Sequence, residues 1–185
     1  MKKFLLFNIV LLALTTFFTQ AYALTITPSD KWHDGTTGPV SWQTNSQDKI
    51  DAILATLNIG NELYKSDAPG QKKDGSVTQQ TEDGLLMGSY ETIFSNSTYD
   101  AQDATITYIP GTPIATDVYL LVKDGDHSPW WYLFDLTNTG SNPNYWNGTE
   151  TLKLEGFWLD KGAISHVTLY GTNPVPEPAT MLLFG

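Results

Sequence analysis

The sequence predicts an all-β domain: a two-layer antiparallel β-sandwich, jelly-roll-like, with one short amphipathic helix. Three observations point there. Aromatic residues make up 12% of the chain and β-branched residues are abundant, the types that suit a pleated, half-buried surface. Short apolar runs recur between Gly-, Asp- and Asn-bearing turns, at the spacing of sandwich strands. Only one stretch carries a clear helical stripe. The 185-residue chain has no Cys, so disulfides cannot hold the fold and an apolar core must.

Taken in order, Leu24-Thr25-Ile26-Thr27 alternates up to Pro28 and reads as a first strand. Ser29 to Pro39 is polar and Gly-bearing, a loop, and Val40 to Gln43 reads as a short strand. Ile50, Ile53, Leu54 and Leu57 fall at i, i+3, i+4 and i+7, one stripe of a three-turn helix. Asn45 or Ser46 caps it, Asp48 sits near the positive end of its dipole, and Asn58 to Gly60 ends it. Such a helix covers a sheet face or the end of a barrel.

Leu63 and Tyr64 begin a strand, Asp67 to Ser76 reads as a mobile loop, and Gly84 to Phe94 reads as a strand. Thr105 to Ile109 is a strand stopped by Pro110-Gly111. In Val118 to Val122 both alternate sets are apolar, which predicts burial on both faces. The Asp124-Gly125 turn sends Trp130 to Leu136 back antiparallel. Thr137 to Thr149 is a long loop. Glu150 to Leu159 and Ala163 to Tyr170 read as a second hairpin across Asp160-Lys161-Gly162.

Both ends read as addresses rather than as core. Lys2 and Lys3, the apolar run Phe4 to Phe18 and Ala21-Tyr22-Ala23 have the three parts of a secretory signal peptide, with cleavage expected between Ala23 and Leu24. About 150 residues then form a single domain, 24–173, long enough for one sizeable core. At the other end, Pro176-Glu177-Pro178 lacks two backbone donors and keeps the chain extended. Ala179 to Gly185 follows and turns apolar at Met181, Leu182, Leu183 and Phe184, too short a run to span a bilayer.

Residues 174–185 resemble the front of a PEP-CTERM sorting signal, in which a Pro-Glu-Pro motif precedes a transmembrane stretch and a basic, Arg-rich end. The match covers Pro176-Glu177-Pro178 and the opening of the apolar stretch. The rest of the stretch and the basic end have no counterpart here, and the chain has no Arg, so the resemblance implies a tail cut short after Gly185. Residues 84–172 are also similar to the exported domains that precede such tails, through Gly88-Ser89-Tyr90-Glu91-Thr92, Trp131-Tyr132-Leu133-Phe134-Asp135-Leu136, Trp146-Asn147-Gly148-Thr149 and Ile164 to Gly171. The resemblance implies recognition by an exosortase-type membrane protease and a place at the cell surface or in an extracellular polysaccharide matrix. It implies no reaction and no cofactor, and membrane contact only in transit.

Net charge is −10, and loss of Lys2 and Lys3 with the leader makes it more negative. Such a surface repels phosphate backbones and anionic headgroups, which argues against nucleic-acid and peripheral membrane binding.

The candidate chemistry is sparse. Ser165 and His166 are neighbours on a strand and point to opposite faces, so they cannot pair as nucleophile and base. No G-x-S-x-G elbow is present. His33, His127 and His166 are scattered without a zinc pattern. Asp124 and Asp126, with Asp100 and Asp103, offer oxygens of the kind calcium takes, but Asp124-Gly125-Asp126 is too short for an EF-hand and reads first as a hairpin turn. Glu155 and Asp135, the carboxylates within strand patterns, are expected to face water and not to form a glycosidase pair. The sequons at Asn96 and Asn147 carry no weight under the bacterial export that the missing cysteines and the resemblance imply. The alternative function is a carbohydrate-binding module that stacks sugars on Trp130, Trp131 and Trp146. Against it stands the ordinary fate of Trp, which is burial.

Overall fold

Two sheets face each other across one apolar core in the computed structural model, which describes residues 23–114 and 117–172. The expected leader up to Tyr22 and the Pro176-Glu177-Pro178 motif lie outside the described residues. The strands are β1 (Ala23–Ile26), β2 (His33–Asp34), β3 (Asn61–Asp67), β4 (Gly70–Gln71), β5 (Val77–Thr78), β6 (Thr81–Asp83), β7 (Tyr90–Ser95), β8 (Asp103–Tyr108), β9 (Tyr119–Lys123), β10 (Trp131–Asp135), β11 (Thr151–Leu154) and β12 (His166–Gly171). The helix α1 spans Gln47–Thr56.

One sheet has four strands in the order β1-β11-β8-β7, the other six in the order β2-β10-β9-β12-β3-β6. All pairs are antiparallel except β1 with β11. A two-stranded ribbon, β4-β5, stands apart. The fold is therefore the expected two-layer β-sandwich with one helix.

Alternation along each strand decides which side chains meet. Ile26, Leu152, Leu154, Ala104, Ile106 and Tyr90 face inward from the four-stranded sheet. Tyr64, Leu120, Val122, Tyr132, Phe134, Val167 and Leu169 meet them from the six-stranded sheet. Full burial of one large apolar side chain is worth about 1.5–3 kcal/mol, so this interior is the main source of stability.

The other face of the six-stranded sheet is covered in part by α1. Ile50, Ile53 and Leu54 pack on Leu121, Trp131, Leu133 and Tyr170. This explains the double-apolar pattern of β9: Leu120 and Val122 enter the inter-sheet core, while Leu121 enters the helix layer. Ser46 holds the N-cap position of α1 without a side-chain cap; Thr44 Oγ1 accepts the Ser46 N–H instead, at 3.1 Å. At the other end Asn58 takes a positive φ of 55°, and the chain turns into β3.

Edge strand β7 is closed by side chains. Gln80 Nε2 donates to Thr92 O at 2.6 Å and the Thr92 N–H donates to Glu82 Oε1 at 3.2 Å. The Tyr64 hydroxyl also donates to Glu82 Oε1, at 2.7 Å. The Thr92 backbone groups, which would otherwise invite another strand, are thus engaged.

Several expectations need correction. Val40–Trp42 is a 3₁₀ turn, not a strand: the N–H groups of Trp42 and Gln43 close back on Pro39 O and Val40 O. Gly84 to Phe94 is not one strand, because Gly84 and Gly88 adopt φ of 106° and 90° and break the run before β7. The segment expected to be a mobile loop, Asp67 to Ser76, contains β4 and the turn that pairs it with β5 just beyond. The supposed second hairpin does not exist. β11 lies in the four-stranded sheet and β12 in the six-stranded one. The chain between them crosses the sandwich, with Phe157 and Trp158 buried in the core.

Candidate functional site

The turn between β9 and β10, Asp124 to Pro129, is built on one carboxylate. Asp124 Oδ1 accepts the N–H groups of Asp126 and His127 at 2.6 and 3.1 Å. Its Oδ2 accepts the Ala163 N–H at 2.9 Å and lies 3.5 Å from His127 Nδ1. The residue is only 3% exposed. A short polar side chain two residues before a tight turn naturally satisfies the turn's own donors, and here it also fastens the crossing segment to the turn.

Beside this turn lies an open cleft of about 620 Å³. Tyr99, Asp100, Gln102, Asp126, His127, Asp160, Lys161 and Ser165 contribute to its walls. Three of the four residues weighed as calcium ligands, Asp100, Asp124 and Asp126, therefore border the same cleft. Asp103 does not: it borders a different depression and its Oδ1 accepts the Gly156 N–H at 2.8 Å. Among the described residues no three His, Asp or Glu side chains are grouped closely enough to hold a metal ion. The Ser165 hydroxyl donates to Lys123 O at 2.9 Å. His166 is buried on the sheet's other face, and its Nε2 has no partner.

The three tryptophans proposed for sugar stacking fare differently. Trp131 is 0% exposed and belongs to the helix layer. Trp146 is 1% exposed, and its indole N–H donates to Glu150 O at 2.8 Å. Neither offers a face to a sugar, which corrects the expectation for both. Trp130 is half-buried against the helix layer.

The choice of Trp130, Trp131 and Trp146 from the sequence passed over a different aromatic group, which runs from Trp42 over edge strand β2 to Tyr119 on β9. The rings of Trp42 and His33 meet edge-on at 5.1 Å, His33 and Trp32 at 4.4 Å, and Trp32 and Tyr119 stack at 5.8 Å with 27° between planes. Trp32 is 44% exposed. Its N–H donates to Leu133 O at 2.8 Å, which fixes its backbone to β10. The loop after β2 is held by Asp34, whose Oδ1 accepts both the N–H and hydroxyl donors of Thr36 and Thr37. Burial would raise the Asp34 carboxyl, but these four bonds outweigh it and hold it below its ordinary range. Burial also lowers His33 below its ordinary value, with Asp34 opposing, so the imidazole is neutral at pH 7. The signal in the sequence was Trp32-His33 inside a segment expected to be a loop, Ser29 to Pro39; only the β2–β10 pairing brings it to Tyr119.

No family model, no curated protein and no solved structure matches this chain.

Proposed function

We propose that the chain is a non-enzymatic exported protein, carried to the cell surface or the extracellular polysaccharide matrix by a PEP-CTERM tail that an exosortase-type protease processes. The observation that carries this reading is one of order along the chain. A signal-peptide pattern runs into β1 at Ala23, and Pro176-Glu177-Pro178 follows a few residues after β12 closes at Gly171. The two addresses thus bracket one folded sandwich. The cleft favours a non-catalytic role. The Asp124 carboxylate is bound into its turn and the Ser165 hydroxyl is bound to Lys123 O, so both hold structure.

The test is made in the producing cell with the complete reading frame. Replacing Pro176-Glu177-Pro178 by three alanines leaves a folded protein that fails to reach the surface or matrix, as scored by fractionation and immunolabelling. A variant delivered to the same place as the parent overturns the proposal.

A further inference from the structure

We propose that the line of rings Trp42, His33, Trp32 and Tyr119 is a binding surface for a neutral, extended polysaccharide of glucose-type rings, with Trp32 as its principal stacking face.

Trp32 is exposed yet held. Its backbone is bonded to β10 and its ring is packed against His33 and Tyr119. A fixed, exposed aromatic ring binds without the ordering cost that a free side chain bears. Glucose-type rings with equatorial hydroxyls present a patch of C–H groups that suits the face of an indole, while their hydroxyls remain in water. The neighbouring rings are partly buried and run across the sheet, from Trp42 in the helix layer over β2 to Tyr119 on β9, so that Trp32 is the exposed member of a supported row, a narrow shape that fits a chain polymer better than a globular partner. A second exposed ring stands near. Asn144 Nδ2 donates to Asp30 O at 3.4 Å, which draws the loop carrying Tyr145, itself 42% exposed, to the turn that carries Trp32.

Charge selects the class of polymer. The chain carries −10 overall, which opposes a polyanion. Lys31, next to Trp32, is engaged by Asp34 at 3.6 Å. Lys49, near Trp42, is the cation bordering the other end. The carboxylates flanking the line are occupied too: Asp30 Oδ2 accepts from Thr27 N and its hydroxyl, and Asp34 accepts from Thr36 and Thr37. The surface therefore offers an exposed ring rather than an ionic grip.

The experiment is affinity electrophoresis of the purified full chain in native gels containing hydroxyethylcellulose, a mannan or alginate, compared with Trp32→Ala, Trp32→Phe and Leu159→Ala. The expected result is retardation in the hydroxyethylcellulose gel. It weakens about tenfold or more in Trp32→Ala, as loss of one stacked ring implies, is partly kept in Trp32→Phe, and is unchanged in Leu159→Ala. Matching near-UV circular dichroism shows that the variants are folded; should Trp32→Ala fail this check, Trp32→Phe and Tyr119→Leu carry the comparison. The inference is overturned by any of three outcomes: no retardation in either neutral gel, equal retardation of parent and Trp32 variants, or binding to alginate alone. A Trp32-dependent change in sedimentation without retardation also overturns it, assigning the face to a second copy of the chain. The binding assay is independent of the sorting test, so either reading can fail alone.

Discussion

Asp124 and Ala163 are joined across 39 residues of chain, Oδ2 accepting the backbone N–H at 2.9 Å. The bond ties the β9–β10 turn in the six-stranded sheet to the segment that has just crossed from the four-stranded one. Gly162 stands at φ 108°, and a Cβ there would strike the Asp124 carboxylate. A side chain at position 162 and this bond are therefore mutually exclusive.

Asp124→Ala is expected to cost about 2–4 kcal/mol, since three backbone donors lose a charged acceptor. Asp124→Asn keeps one acceptor oxygen and costs less. Gly162→Ala falls between them, and its effect shrinks in the Asp124→Ala background because the clash partner is gone. Urea denaturation of the parent and the four variants checks this; strictly additive losses would show that the two sites do not communicate.

Ile53→Asp removes an apolar contact and places an unpaired charge between α1 and the outer face of the six-stranded sheet, where Ile53 is 6% exposed. The expected loss is about 3 kcal/mol or more. An unaltered thermal midpoint would mean that α1 does not hold this position on the sheet.

The helix was legible because its stripe is a local property: Ile50, Ile53 and Leu54 repeat within a few turns. β9 was legible for the same reason, since both faces are apolar over five residues. Partner choice was not local. β11 and β12 look like a hairpin in sequence, because alternation says which residues share a face and nothing about which sheet receives them. The positive φ values at Gly156, Trp158 and Gly162, 74°, 51° and 108°, mark where the chain leaves one sheet for the other, and a Trp gives no warning of that. The site suffered likewise. Trp131 was marked by its neighbour Trp130, yet burial under α1 decides its role. Trp32 gained its setting from Tyr119, a residue far away in sequence, through β10.

His166 gives the stability a dependence on acid. Burial, aided by Lys65 and Lys123 and opposed by Asp67, holds its imidazole down to about 3. The unfolded chain takes up this proton near the ordinary 6.5 and the folded chain does not. The contribution is therefore complete above pH 6.5 and is lost as pH falls from 6.5 toward 3. Its full extent is on the order of 4 kcal/mol. His166→Gln, which cannot take up the proton, should gain on the parent steadily through that window when unfolding is followed by urea titration at each pH. Parallel curves for the two proteins would show that His166 does not titrate differently on folding.

Export should leave Leu24 as the first residue. Cleavage there removes only Ala23 from β1, an exposed position paired with Thr151, and keeps the pairs Leu24 with Leu152, Thr25 with Lys153 and Ile26 with Leu154. Ile26, fully buried, anchors what remains. N-terminal sequencing of the exported protein decides the point, and a chain that still starts at Met1 would rule cleavage out.

Deleting Pro174 to Gly185 should leave the domain intact. β12 already has a strand on each side, β9 and β3, so its ladder has no open edge for the tail to complete. Among the described residues, both apolar clusters are built from side chains between Leu24 and Tyr170. Pro174, Pro176 and Pro178 remove every second donor from the segment that follows, which bars it from a sheet interior. The change in stability on deletion should therefore stay within about 0.5 kcal/mol, a shift in thermal midpoint of about 1–2 °C. Differential scanning calorimetry of the full and shortened proteins measures it directly. A fall of more than about 5 °C, well beyond what a change of that size produces in a domain of this length, would make the tail part of the fold, and a segment that the fold needs is poorly suited to be cut and handed to a sorting protease.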